Sequence, residues 1–396
     1  MVTVEEGKRR IFNNTAHLNS EKRAVLDAIG YVLSEDVHAA FSLPSFRQSS
    51  MDGYAVLHTD ITEVNVVLPI VGESKAGTAE KFVMRPGTAI RIFTGAPVPD
   101  GATAVIMQEH TSVENGNVVI NEYPVAENKN LRNIGQQIRE GDIALPAGTF
   151  ISAGTAGFLI GLNIEKVSVY RKPKIGILVT GDELVKTGET LSHGQVYESN
   201  SSMLVAALKQ EGINDVEIYY SEDDLAATIQ SLQTLSDRND VVIATGGVSV
   251  GDYDYVGKAL EAIGAETIFY KIRQKPGKPL LFAKTESTNF YALPGNPASS
   301  LVCYYEYVLP ALRLMSGRKE CFLPAYQLPI SHAYSFNGER DEFLKAFVSE
   351  GKVTSLEGQE SFALRSFAVA NALVYLPVSQ HTVQAGDLVE VHLLPF

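Results

Sequence analysis

Between Lys174 and Gly317 the chain alternates two kinds of apolar spacing. Short apolar runs in "KIGILVT", "DVEIYY" and "DVVIATGG" read as strands, several of them buried on both faces. Between them, apolar residues recur every three or four positions in "SNSSMLVAALKQEGI", "SEDDLAATIQSLQTLS" and "YVGKALEAIGA". That spacing predicts amphipathic helices, the second opening on a capping box from Ser221 to Asp224. "ETIFYKI" and "KPLLFAK" add strands, and "NPASSLVCYYEYVLPALRLMSG" begins a long helix. Strands alternating with helices predict a doubly wound, mostly parallel sheet, whose ligands sit at the carboxyl ends of the strands.

The flanking regions follow a different grammar. From residue 54 to 136, "YAVLH", "VNVVLPIV", "TAIRIFTG", "TAVIMQEH" and "NVVINEY" are β-branched runs broken by Gly, Pro, Asn and Asp. They predict a small β domain. A short helix is expected near 153 to 162, and the tail from Leu323 is again β-like. Residues 3 to 40 show helical spacing at Ala24, Val25, Ala28, Ile29, Val32 and Leu33, which predicts one or two helices. The fold class is therefore α/β plus β, in several domains.

A length of 396 residues suits two to four domains. The net charge of -13 argues against broad binding to nucleic acid or to an anionic membrane. It leaves room for an anionic small molecule wherever basic residues gather. The two cysteines, Cys303 and Cys321, fit no disulfide framework or zinc pattern, and a reduced cytoplasmic setting suits them. The amino terminus lacks the apolar core of a signal peptide, and no segment reaches the roughly 18 apolar residues of a membrane span.

The candidate chemistry lies at the ends of the predicted strands. In "DVVIATGGVSVGDYDY", Gly246 and Gly247 follow a buried strand, where backbone N–H groups can approach an anion. A tight turn needing positive φ explains the same pair. "KIRQKPGKP" gathers Lys271, Arg273, Lys275 and Lys278 in an acidic chain, either as an oxyanion site or as the basic guard of an edge strand. "ALPGNPASS" offers Gly295, Asn296, Ser299 and Ser300 at another strand-to-helix junction. Carboxylates fall beside these loops: Asp182 and Glu183, then Asp223, then Asp252 and Asp254. Acids facing a phosphate imply a bridging hard cation, and Mg²⁺ takes one or two carboxylates together with waters and substrate phosphates. Each acid also has a structural reading, Asp223 as a residue of a first helical turn and Asp252 as a turn cap. Upstream, Asp52 precedes a glycine turn, and Thr94 lies in a proline-stiffened loop.

Seven strings in order resemble the molybdopterin molybdenumtransferase family, which is related to the C-terminal enzymatic half of gephyrin. They are "LPSFRQSSMDGYAV", "FTGAPVPDGATAVI", "KIGILVTGDELV", "GQVYESNSSML", "DVVIATGGVSVGDYDYV", "KIRQKPGKPLLFA" and "LPGNPASSLVCYYE". Each is weak alone; the ordered set is specific and spans nearly the whole chain. The resemblance implies an elongated homodimer of four domains: 1–40 with 138–172 as a helical and linking domain, 41–137 as an inserted β domain, 173–318 as the molybdopterin-binding α/β domain, and 319–396 as a C-terminal β domain. It implies insertion of molybdate into adenylylated molybdopterin, with Mg²⁺ as metal and AMP released. It also implies as protein partners the molybdopterin adenylyltransferase and the proteins that deliver cofactor to molybdoenzymes.

Motif by motif, the family's functional acids fall on Asp52, Glu183, Asp223 and Asp254, and its lysines on Lys271 and Lys275. Its loop threonine falls on Thr94, and a C-terminal serine on Ser361 in "GQESFAL". Glu183 and Asp254 are the expected metal ligands. Lys271 and Lys275, with Lys278 beside them, would balance anionic charge, and Gly246, Gly247, Ser249, Gly295 and Asn296 would hold substrate. Asp52 and Thr94 would come from the partner subunit. The chain departs from the pattern at Gln137, where an aspartate is expected, at Arg47 and Gln48, where an acid and an asparagine are expected, and at Thr103. An amide at 137 supplies no charge, which keeps a non-catalytic molybdopterin carrier in view. The adenylyltransferase that shares the α/β domain is the other alternative.

Overall fold

The computed structural model describes residues 1–247 and 255–395, and its contacts divide the chain into two compact units. One comprises Met1–Ser34, Gly148–Ser152 and Ser168–Phe396; the other comprises Glu35–Ala147 and Ala153–Val167.

The alternating segment of the first unit forms a six-stranded layer, whose elements are numbered within it. They are β1 (Ile175–Thr180), α1 (Asn200–Gln210), β2 (Val216–Ser221), α2 (Leu225–Ser236), β3 (Val241–Thr245), α3 (Tyr255–Ala262), β4 (Glu266–Tyr270), β5 (Leu281–Lys284), β6 (Asn289–Leu293) and α4 (Pro297–Cys303). The strand order is β2-β1-β3-β6-β5-β4. The first four run parallel, with Ile177 opposite both Ile218 and Ile243, and β5 runs antiparallel to both of its neighbours. Alternation along β1 and β3 explains the double cover. Ile175, Ile177, Val179, Val241 and Ile243 pack with Leu204 and Leu208 of α1 and Leu301 of α4. Leu178, Val242 and Ala244 pack on the opposite face with Leu232 and Leu235 of α2 and Val256 and Leu260 of α3. The chain leaves β1 toward β2 and leaves β3 in the other direction, so a crevice opens at the carboxyl ends of β1 and β3.

Three expectations need correction. The spacing from Ala24 to Leu33 is not helical. The chain has a helix at Val4–Asn13, a strand at Ser20–Ala24 and a single 3-10 turn at Leu26–Ala28. Gly30 then adopts φ +83, and Val32 and Leu33 become extended and bridge Phe150 and Val169. A turn followed by extended chain thus reproduces a helical repeat of apolar residues. The capping box at Ser221 is also absent, because Ser221 ends β2 opposite Thr180. Asp224 is the N-cap instead, accepting from the N–H groups of Ala226 at 2.8 Å and Ala227 at 3.1 Å. Asp223 therefore precedes the cap and lies outside the first helical turn.

The long helix after β6 is interrupted. A π-turn at Tyr304–Val308 separates α4 from a last helix at Leu309–Met315. This turn carries Glu306 into the interior at 2 % exposure, between Lys8 Nζ at 2.5 Å and His392 Nδ1 at 2.7 Å.

The tail forms a second sheet in the same unit, with strands in the order 274–275, 341–349, 372–376, 388–393 and 325–329. Its edge strand, Gln274–Lys275, comes from the basic stretch after β4 and pairs parallel with Asp341 and Glu342. The other unit holds a six-stranded mixed sheet, ordered 104–107, 53–56, 89–92, 66–74, 117–120 and 111–114, and a helix at Ala153–Gly161. Among the described residues no helix is long and apolar enough to cross a membrane.

Candidate functional site

Four turns at the carboxyl edge of the layer open on one cleft of about 730 Å³: Gly181 to Glu183 after β1, Asp223 after β2, Gly246 and Gly247 after β3, and Gly295 and Asn296 after β6. The glycines are needed where they stand. Gly246 and Gly247 adopt φ +92 and +65, and a Cβ on Gly247 would lie 2.8 Å from Val256 Cγ2. Gly246 donates its N–H to the Leu293 carbonyl at 3.2 Å, joining the β3 turn to the end of β6. A Cβ on Gly181 would lie 2.7 Å from Glu183 Oε2, so glycine there lets the carboxylate fold back against the turn.

The β1 turn is braced by residues that the sequence did not single out. Leu184 and Val185 pair with Val196 and Tyr197, which leads the chain to Glu198. The buried Glu198 carboxylate accepts from Ser201 N–H at 2.8 Å and Ser201 Oγ at 2.5 Å, and so caps α1 in place of Ser199. Asn200 then lines the cleft, donating from Nδ2 to the Gly295 carbonyl at 2.8 Å. Its Oδ1 is buried without a hydrogen-bond partner among the described residues. The signal was present in "YESNSS": an acid and a polar run ahead of an apolar helix.

The segment between strands 352–355 and 372–376 supplies one wall. Ser361 accepts at Oγ from Asn296 Nδ2 at 2.9 Å, and at its carbonyl from Ser299 N–H at 3.2 Å. Phe362 faces the cleft.

The structure brings Glu183, Asp223, Gly246, Gly247, Gly295 and Asn296 together around the cleft, with Ser361 attached through Asn296. The three lysines are not on the lining. Lys271 adopts φ +68 and holds its ammonium 4.6 Å from the centre of the Tyr270 ring. Lys275 sits on the edge strand of the C-terminal sheet and donates to the buried Glu342 at 2.9 Å. Lys278 is exposed beside Pro279, which is a lining residue. Ser249 and Asp254, with Asp252, lie outside the described residues.

Among the described residues, no three His, Cys, Asp or Glu side chains come together as a metal-binding group. The donors that are present suit a particular kind of ion. Two carboxylates, Glu183 and Asp223, line the cleft beside glycine turns, and hard oxygen donors of this kind would suit Mg²⁺.

In the other unit, Asp52 Oδ1 accepts from Thr94 N–H at 2.7 Å and Thr94 Oγ1 at 2.8 Å. The backbone bond, then the hydroxyl bond, hold this carboxyl below the ordinary aspartate range. Arg91 stands by, 5.0 Å from the Tyr54 ring and 4.8 Å from that of Phe93. Gln137 and Gln48, two of the departures noted above, line one hollow of about 440 Å³ with Gln136 and Arg132, and that lining contains no carboxylate.

Three family models match the chain: the MoeA N-terminal region (domain I and II) over residues 2–162, the probable molybdopterin binding domain over 176–314, and the MoeA C-terminal region (domain IV) over 327–394. The chain is 32% identical to the molybdopterin molybdenumtransferase of Haemophilus influenzae, with 100% of both chains covered. It is 33% identical to that of a Nostoc species, covering 100% of this chain and 94% of the relative. Among solved structures, the molybdopterin biosynthesis moeA protein from Pyrococcus horikoshii OT3 superposes with a TM-score of 0.86 at 27% identity, covering 100% of each chain.

Proposed function

Because the chain belongs to the molybdopterin molybdenumtransferase family of molybdenum cofactor biosynthesis, we propose that its cleft inserts molybdate into adenylylated molybdopterin and releases AMP. The carrying observation is the convergence of the turns after β1, β2, β3 and β6 on one cleft bearing both carboxylates and glycine turns. The Gly246–Gly247 and Gly295–Asn296 turns hold the phosphate side of the substrate. Glu183 and Asp223, with Asp254, hold Mg²⁺, which when bound neutralises phosphate charge. From outside the lining, Lys271, Lys275 and Lys278 add positive charge around the oxyanions, Lys275 while it also pairs with Glu342. Asp52 and Thr94, preset as a hydrogen-bonded pair, serve the cleft of a partner subunit in a homodimer. The buried thiols of Cys303 and Cys321 suit a reducing cytoplasm.

Purified protein given adenylylated molybdopterin, Mg²⁺ and molybdate should release AMP in step with molybdenum incorporation. Tight pterin binding without AMP release would favour a carrier, the reading that the carboxylate-free hollow around Gln137 supports. Consumption of ATP with unadenylylated molybdopterin would instead indicate the adenylyltransferase.

A further inference from the structure

Phe362 is 67% exposed, yet it is not on a loose loop. Its segment is tied down from below by Lys345, a residue of the 341–349 strand that is only 1% exposed. The three ammonium protons of Lys345 have three carbonyl acceptors: Gly358 at 2.6 Å, Ala363 at 3.0 Å and Glu360 at 3.2 Å. Gln359 doubles the tie, accepting from Lys345 N–H at 3.0 Å and donating to the Lys345 carbonyl at 2.8 Å. From the cleft side, Asn296 and Ser299 hold Ser361. A buried cation is costly unless its protons are matched, and here the matching fixes a turn that presents a bare phenyl ring to the cleft.

We propose that Phe362 is a stacking face for a planar heteroaromatic ring of the substrate, with Lys345 as the residue that positions it. This rests on the transferase reading of the cleft. That substrate carries two such rings, a pterin and an adenine, and either has a π-face for the phenyl ring. A rigidly held aromatic loses little conformational freedom on binding, so its contact is retained as affinity.

The test uses the full chain, titrated separately with AMP and with unadenylylated molybdopterin. Phe362→Ala and Phe362→Leu should both weaken binding of one of the two, on the order of ten- to a hundredfold, since neither side chain keeps a π-face. The chain contains no tryptophan, so Phe362→Trp installs a single emitter, whose fluorescence the stacking ligand should quench. The ligand that quenches identifies the ring. Adding Lys345→Met should lower the anisotropy of that emitter and weaken the same ligand. If wild type binds but Phe362→Ala binds equally well and Phe362→Trp is not quenched, the stacking role is overturned while the transferase reading stands. If wild type binds neither ligand, both fall together.

Discussion

His392 places Nδ1 2.7 Å from the Glu306 carboxylate and Nε2 2.9 Å from that of Glu390. With a carboxylate on each side, both ring nitrogens donate and the imidazole is held as a cation. Lys8 closes the group from the amino-terminal helix, so three segments far apart in sequence meet on one buried acid. Burial alone would raise Glu306, but the Lys8 and His392 cations outweigh it and hold the carboxyl at about 2. Burial alone would lower His392, and the Glu306 charge and hydrogen bond raise it instead.

This arrangement sets two pH arms. His392 is raised, so its contribution to stability is complete below its ordinary pKa of 6.5 and is lost as pH rises through the higher folded value. Glu306 is lowered, so its contribution is complete above 4.5 and is lost as pH falls toward about 2. Thermal unfolding across pH should show both declines. His392→Gln should flatten the alkaline arm, and a variant that keeps it would assign that decline to another group.

Removing the acid is a harsher change. Glu306→Ala leaves Lys8 and His392 facing each other around an empty site and should cost about 3–5 kcal/mol by denaturant titration. A loss below about 1 kcal/mol would mean that the cations find water instead.

Gly247→Ala should impair both fold and site. Its φ of +65 strains any L side chain, and the new methyl would press on Val256 at the start of α3. A loss of about 1–3 kcal/mol is expected, together with weakened AMP binding by calorimetry. Unchanged binding in a folded protein would remove the Gly246–Gly247 turn from the phosphate site.

Glu183→Gln and Asp223→Asn keep shape and delete charge on the cleft wall. Each should lower AMP release on the order of a hundredfold while leaving pterin affinity within a few-fold. Asp254→Asn is expected to behave the same way. A wild-type rate in any of the three would exclude that acid from the chemistry.

Lys275→Ala separates two duties. Loss of the ammonium leaves the buried Glu342 carboxylate, among the described residues, with Tyr334 as its hydrogen-bond partner at 2.7 Å, and should cost about 1–3 kcal/mol. Binding of molybdate should weaken as well if the lysine also serves the oxyanion. Lowered stability at unchanged affinity would confine it to the C-terminal sheet.

The centre of the layer and its rim were legible because β1, β3 and β6 are each buried on both faces and followed by glycine or proline. "KIGILVTGDE" and "DVVIATGG" thus state both a strand and the turn that follows it. What stayed hidden depends on distant partners. Lys275 lies within a basic run that resembles a rim cluster, but its strand is recruited by a sheet nearly seventy residues downstream. Lys345, on a strand, reads as an ordinary exposed position until its three carbonyls are seen. Asp224 displaced Ser221 as helix cap because the parallel pairing of β2 with β1 extends through Ser221. Local propensity had no access to that pairing.

The recruited strand at Gln274–Lys275 also bears on synthesis. When residues 173–318 have left the ribosome, this segment has no neighbour to pair with, and Phe343, Leu373 and Leu394 have not yet arrived to seal the same core. A chain stopped near residue 318 should therefore emerge sticky and protease-sensitive rather than as an independent module. Residues made after the α/β segment are the ones that close the first unit.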